Sequence, residues 1–435
     1  MGTVVYQNSD RKISGEILLP SSKSAAHRTI LAAALSHEKC AVNNVDLNAD
    51  ITATLNAIKA MGIDAKYISR KKRVEFTGEY IIPQGVQTVD CIESGSTLRF
   101  VIPIFAALGI SARFIGSGLL PQRPIGIYTE LLQAHGVEVK TQGGLPFEIS
   151  GRLQSGIYEL PGNVSSQFIT GLMLALPQLK GDSEIVLTTS LESGGYVDLT
   201  LEVLENFGIV IDKTENGWHI SGRQRYQGNS CAVEGDWSHA AFFLSMAAIC
   251  GGEILLKGLK ENSSQGDRAC VKLYREFGID TDFTESGLKA LNPKVSDKFR
   301  GLKAAEIDAS QIPDLIPAAA VCGAFAKGTT HIYNAGRLRL KECDRLEAIA
   351  DAINRLGGKA VIKGDDLFID GVENLTGGKA FGMNDHRIPM ALSAASLGSK
   401  GQVSVTDAES INKSYPLFYR DFRSLGGIAD VIDLG

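Results

Sequence analysis

The sequence predicts an α/β protein of two domains, each built from three β-α-β-α-β-β units. Three observations lead there: a glycine-led hairpin phrase that recurs six times, a polar-to-apolar helix phrase that recurs between the hairpins, and no long low-complexity connector in 435 residues.

The hairpin phrase is the end of a helix, a glycine, a short alternating strand, a turn and a second strand. It reads MGIDAKYISRKKRVEFTG from Met61, HGVEVKTQGGLPFEISG from His135 and FGIVIDKTENGWHISG from Phe207. Weaker copies are FGIDTDFTESGLKAL, LGGKAVIKGDDLFIDG and LGGIADVIDLG. The leading glycines Gly62, Gly136, Gly208, Gly278, Gly357 and Gly426 stand 69 to 79 residues apart. Glycine just past an apolar helix is the expected left-handed cap, and the alternation after it is a half-buried hairpin. A period this long makes each unit a supersecondary module, larger than a solenoid repeat.

The helix phrase opens on a polar strand tip and runs into Ala and Leu. Its copies are ILLPSSKSAAHRTILAAAL, DCIESGSTLRFVIPIFAALG, YELPGNVSSQFITGLMLAL, CAVEGDWSHAAFFLSMAAI, AEIDASQIPDLIPAAAVCGA and FGMNDHRIPMALSAASLG. Helices apolar nearly all round belong inside a domain. Taken singly, each Ser, Asp or Asn at such a start is a cap for orphan N–H groups. Six equivalent starts aimed at one cleft also make an anion-binding surface from their dipoles and free N–H groups. Second helices such as ADITATLNAIKAMG and DLTLEVLENFG are amphipathic. Three units per domain leave an active cleft between the domains, and the repeat count puts a boundary near residue 230.

A formal charge of −5 argues against a general nucleic-acid or membrane-surface binder and confines any polyanion site to a local pocket. The seven cysteines are scattered without a CxxC pair, which suggests no zinc site and no disulfide framework. A reducing cytoplasm fits that pattern. MGTVVYQNSDRK has no apolar core of signal-peptide length, and no segment runs 18 apolar residues, so export and membrane insertion are not expected.

Cations concentrate at the helix starts and adjoining loops: Lys23, Arg28, Arg99, Arg123, Lys341, Arg345, Arg387 and Lys413. In RLRLKECDRLEAI, Lys341 and Arg345 are four apart and share a face if the helix begins near Glu342 or Asp344. Alone, that segment reads as a solvated helix start, His386 as a capping or core histidine, and Asp314 as a first-turn carboxylate. Together they suggest chemistry. Arginine forks match carboxylate and phosphate, lysines are movable charges, and carboxylates among them exchange protons.

With LPSSKSAAHR, ESGSTLRF, NVSSQF, IPDLIP, LRLKECDRLEAI and NDHRIPMAL in order along almost the whole chain, the sequence resembles the 5-enolpyruvylshikimate-3-phosphate synthase family of enolpyruvyl transferases. The resemblance implies an inverted α/β fold with the active site in the interdomain cleft. The chain would cross between domains twice, with 1–20 and 233–435 in one domain and 21–232 in the other. It implies transfer of the enolpyruvyl group of phosphoenolpyruvate to the 5-hydroxyl of shikimate 3-phosphate, with no metal or organic cofactor, in a monomer. Carried over by position, Lys23, Ser24, Arg28, Ser165, Ser166, Gln167, Ser193 and Tyr196, with Asp314 and Lys341, would meet shikimate 3-phosphate. Lys23, Gly95, Arg123, Gln167, Arg345, His386, Arg387 and Lys413 would meet phosphoenolpyruvate. Asp314, Glu342 and Lys23 would be catalytic.

Several positions depart from the family pattern. Ser21, His27 and Glu93 replace the residues common there, Gly194-Gly195 follows Ser193 where many members have Lys-Pro, and Asn334 is only a candidate for an asparagine before the KE pair. The alternative is the sister transferase acting on UDP-N-acetylglucosamine, which carries a cysteine in the loop that here reads FIGSGLLPQRP, without one. An RNA-end cyclase or a non-enzymatic binding module of similar repeats is disfavoured by the lack of a basic stripe or nucleotide loop.

Overall fold

In the computed structural model, which describes residues 2–7 and 12–433, the repeats become six four-stranded sheets of one pattern. Gln87–Asp90 illustrates it. That strand runs parallel to Ala112–Ile115, which pairs antiparallel with Phe147–Gly151, which pairs antiparallel with Val137–Lys140 at the edge. All six leading glycines have positive φ, between 77° and 106°, the left-handed turn that lets each helix end in its hairpin.

The chain divides into two compact units, Ser21–Glu234 and Met1–Pro20 with Gly235–Gly435. Residues 233 and 234 stay with the first unit because Val233 N–H bonds the Asn43 carbonyl at 3.0 Å and its own carbonyl accepts Asn44 Nδ2 at 2.6 Å. Three strands pair far from their sequence neighbours. Gly15–Leu18, which leads into the Lys23–Leu35 helix, lies parallel to Ile254–Lys257. Cys231–Ala232, which leads into the Trp237–Cys250 helix, lies parallel to Cys40–Asn43.

The third case corrects the sixth hairpin. LGGIADVIDLG forms one strand, Ile428–Asp433, and the strand that completes its sheet is Gly2–Gln7, inserted between it and Val403–Thr406. Tyr6 anchors this insertion: it is fully buried, its hydroxyl donates to the Pro389 carbonyl at 2.9 Å, and its ring meets Phe422 edge-on at 5.6 Å.

The polar-start helices form the buried centre of each unit. Trp237–Cys250 has 13 of its 14 residues buried, with Asp236 accepting the N–H groups of Ser238 and His239 at its start and Gly251 closing it at φ 73°. Each of Phe242, Phe243, Leu244 and Met246 contributes about 1.5–3 kcal/mol by leaving water, so together they outweigh the cap, which contributes about 1 kcal/mol. Within the other unit, Gly95–Leu108 packs on Ser166–Ala175 at Gly171. A Cβ there would sit 2.3 Å from the Arg99 carbonyl oxygen and 2.4 Å from Tyr128 Oη, so only glycine permits that approach. Among the described residues no helix is long and apolar enough to cross a membrane.

Tyr6→Ala should cost about 3–5 kcal/mol through the cavity it leaves, and Tyr6→Phe about 1 kcal/mol through the lost hydrogen bond. Urea unfolding read by Trp237 fluorescence in a Trp218→Phe background measures both. A Tyr6→Ala protein within 1 kcal/mol of its parent would show that the inserted strand is not anchored this way.

Candidate active site

Within the Ser21–Glu234 unit the first turns of the helices are tied directly to one another. Ser22, Ser94 and Ser165 each cap a helix, accepting from Ala25, Thr97 and Gln167 N–H. Lys23 Nζ bonds Asp50 Oδ2 at 2.7 Å, joining the Lys23–Leu35 helix to the first turn of Ala49–Ala60. Arg28 is 2 % exposed and spends four of its N–H donors inside the unit. Nε goes to Thr200 Oγ1 at 2.8 Å, Nη1 to the Ser24 carbonyl at 2.7 Å, and Nη2 to Thr170 Oγ1 at 3.2 Å and the Tyr196 carbonyl at 3.1 Å. Five donors are available on a guanidinium, so one Nη1 hydrogen is left for an acceptor from outside. Burial among neutral acceptors pushes Arg28 down to about 9.

Gly95 lies against two guanidinium groups. A Cβ at that position would stand 2.8 Å from Arg123 Nη1 and 2.9 Å from Arg99 Nη1. Gln167 is held by both its ends, Oε1 accepting Arg99 Nη1 at 2.7 Å and Nε2 donating to Ser96 Oγ at 2.9 Å. Ser193 has left-handed backbone, φ 55°, immediately before the Gly194–Asn206 helix. Ser166 is buried in its helix's first turn.

In the other unit Asp314 is the hub. Its Oδ1 accepts Lys341 Nζ at 3.3 Å and Arg345 Nη1 at 2.8 Å, and its Oδ2 accepts Arg387 Nη2 at 2.8 Å. Arg345 also reaches Glu342 Oε2 at 2.5 Å through Nη2 and Asp385 Oδ2 at 2.7 Å through Nε. Burial would lower Arg345, but Asp385, Glu342 and Asp314 outweigh it and hold the guanidinium well above its ordinary value. Burial brings Lys341 down to about 8 against the opposing pull of Asp314. The helix begins at Arg345 with Asp344 as its cap, so Lys341 and Glu342 precede it and converge on the hub through the turn. His386 is 1 % exposed with Nδ1 3.7 Å from Asp385 Oδ1, and Lys413 Nζ donates to the Asn384 carbonyl at 2.5 Å.

The two groups of helix starts therefore gather the sequence-derived residues into two sets. Lys23, Ser24, Arg28, Gly95, Arg123, Ser165, Ser166, Gln167, Ser193 and Tyr196 belong to one unit; Asp314, Lys341, Glu342, Arg345, His386, Arg387 and Lys413 belong to the other. Sequence reasoning missed the partners that set their geometry: Asp50 under Lys23, Asp385 under Arg345, and the threonines under Arg28. Asp385 had a usable signal, since a buried arginine needs a carboxylate and NDHR contains one.

Two departures gain a physical account. Ser21 and Asp46 bond reciprocally, Ser21 N–H to Asp46 Oδ2 at 2.9 Å and Asp46 N–H to Ser21 Oγ at 2.8 Å. His27 Nδ1 meets Thr54 Oγ1 at 2.7 Å, and Thr54 continues to Thr97 at 2.8 Å and so to the Ser94 cap. Desolvation keeps His27 well below its usual value, so this buried imidazole is neutral. Asn334 instead donates to Asp308 Oδ1 at 3.2 Å.

A family model described as EPSP synthase (3-phosphoshikimate 1-carboxyvinyltransferase) matches residues 8–422. The 3-phosphoshikimate 1-carboxyvinyltransferase of Clostridium kluyveri is 41% identical over 426 residues, covering 98% of each chain. That of Clostridioides difficile is 40% identical over 438 residues with the same coverage. Among solved structures, EPSP synthase from Acinetobacter baumannii superimposes with a TM-score of 0.82 over the whole of both chains at 23% identity, which shows the shared two-domain inverted α/β fold.

Thr200→Val removes the acceptor of Arg28 Nε inside a buried site and should cost about 1–3 kcal/mol, while Thr200→Ser should restore most of it. Urea unfolding compares the three proteins. Equal stability of the valine and serine variants would show that the hydroxyl does not hold Arg28.

Proposed function

The chain belongs to the EPSP synthase family and so transfers the enolpyruvyl group of phosphoenolpyruvate to shikimate 3-phosphate in aromatic amino-acid biosynthesis; we propose that the two sets of helix starts supply its substrate contacts and proton transfers. Both substrates carry a phosphate and a carboxylate, which accounts for arginines and lysines clustered within a protein of net charge −5. Lys23, Ser24, Arg28, Ser165, Ser166, Gln167, Ser193 and Tyr196 hold shikimate 3-phosphate, with Asp314 and Lys341 from the other unit. Gly95, Arg123, Gln167 and Lys23, with Arg345, His386, Arg387 and Lys413, surround phosphoenolpyruvate.

The observation that carries the chemistry is the Arg345 guanidinium, bonded at once to Asp314 and Glu342. It fixes two carboxylates beside each other and beside Lys341, so two proton transfers can act on one pair of substrates. Protonation of the methylene carbon of phosphoenolpyruvate makes the adjacent carbon cationic. The 5-hydroxyl oxygen adds there as it loses its proton, giving a tetrahedral ketal phosphate. Phosphate then leaves with the C–O bonding pair as the new methyl group loses a proton. Glu342 handles the carbon-bound proton and Asp314 the hydroxyl proton, with Lys23 assisting. The reaction needs no redox partner, and the seven free cysteines suit a cytoplasmic setting.

Phosphate release from phosphoenolpyruvate should occur with shikimate 3-phosphate and not with UDP-N-acetylglucosamine; the reverse preference would assign the sister activity. Glu342→Gln and Asp314→Asn should each lower kcat about 10² to 10⁴-fold while shikimate 3-phosphate binding stays measurable by calorimetry. Full turnover in either variant would remove that residue from the mechanism.

Lys341 adds a pH signature. Its folded value of about 8 lies below the ordinary 10.5, so its charged form costs stability below pH 8, and that cost fades between about 8 and 10.5. The ammonium needed for anion binding is lost as pH rises through about 8. An alkaline limb in kcat/KM near pH 8 is expected, and Lys341→Arg should move it upward; an unmoved limb would assign it to another group.

A further inference from the structure

The Ser21–Glu234 unit contains a second cationic concavity, formed by residues absent from both groups of helix starts. Its volume is about 900 Å³, and Lys180, Arg223 and Arg225 all line it. It lies at the C-terminal end of the Lys23–Leu35 helix, where Ser36 is the cap, whereas Lys23, Ser24 and Arg28 occupy the first turns of that helix. Among the described residues none of the three cations has an ion-pair partner, and only the Nε of Arg223 is engaged, on the Lys180 carbonyl at 2.8 Å. The one lining carboxylate, Glu38, accepts the Gly228 N–H at 2.9 Å through Oε2. Two further lining atoms, Gln178 Nε2 and His37 Nδ1, are buried without a hydrogen-bond partner among the described residues.

Lys180, Arg223 and Arg225 are all exposed at this concavity, so water screens their mutual repulsion, and an anion spanning them would be attracted by all three at once. The helix ends there present carbonyls, so the macrodipole opposes an anion and the side chains alone must supply the attraction. Leu35 and Tyr226, each 3 % exposed, add apolar wall. We propose that this concavity is a second ligand site, for a small organic polycarboxylate whose carboxylates meet Lys180, Arg223 and Arg225 and whose carbon body lies along Leu35 and Tyr226.

Calorimetric titration of the full chain with citrate, in saturating shikimate 3-phosphate, tests this. Binding of one citrate per chain is expected, at least tenfold tighter than inorganic phosphate at equal ionic strength. The Lys180→Glu/Arg225→Glu variant should weaken it about tenfold or more without changing kcat or either KM. Lys180→Ala, at an exposed position, is the milder check and should weaken it about threefold. No citrate binding with shikimate 3-phosphate present, equal affinity for phosphate, or citrate affinity unchanged in both variants would overturn the proposal.

Discussion

The central helices are buried on nearly every side, and the placement of polar chemistry follows from that. A helix such as Trp237–Cys250 leaves no lateral face for a charged group, so charged side chains are confined to its ends, and a mid-helix polar residue such as Ser245 must be hydrogen-bonded inside. The N-terminal end presents N–H groups that need acceptors and a partial positive charge that favours anions. Serine and aspartate caps meet the first need, and the adjacent lysines, arginines and glutamine are the groups proposed for the second. In LPSSKSAAHR the capping reading holds for Ser22, and Lys23, Ser24 and Arg28 beside it stand where the proposed substrate contacts would need them.

Two buried arginines show how the surroundings of a charge decide its use. Arg345 is enclosed by Asp314, Glu342 and Asp385, which compensate its desolvation and keep it firmly charged. Four of its five donors are committed to those carboxylates, which fixes their positions and leaves one Nη1 hydrogen for an acceptor from outside. Breaking such a pair by removing one partner generally costs about 3–5 kcal/mol, because a charge is stranded. Arg28 is held by hydroxyls and carbonyls with no carboxylate in contact, and desolvation lowers it to about 9. One arginine is compensated by the fold's own carboxylates, and the other is left among neutral acceptors.

The six-unit repeat, the left-handed glycines and the capped starts could all be read from the chain because each is a local pattern. Gly62 ends its helix in the left-handed region for the same steric reason that placed it in the phrase, and Ser94 caps because it stands three residues before Thr97. The candidate site residues could be picked out because they share those starts. Their partners were not. Thr170 and Thr200 are ordinary threonines until the fold brings them 142 and 172 residues along the chain to Arg28.

Strand pairing marks the same boundary at the level of the fold. By itself the sequence determined most of the strands and helices, how many units there are, and which helix ends carry charge. Only the tertiary structure decided that Gly15–Leu18 joins Ile254–Lys257, that Cys231–Ala232 joins Cys40–Asn43, and that Gly2–Gln7 completes the sheet of Ile428–Asp433. Periodicity shows that a segment will pair with a half-buried face, but six similar phrases offer similar edges. The choice among them is made by long-range packing, which no local pattern encodes.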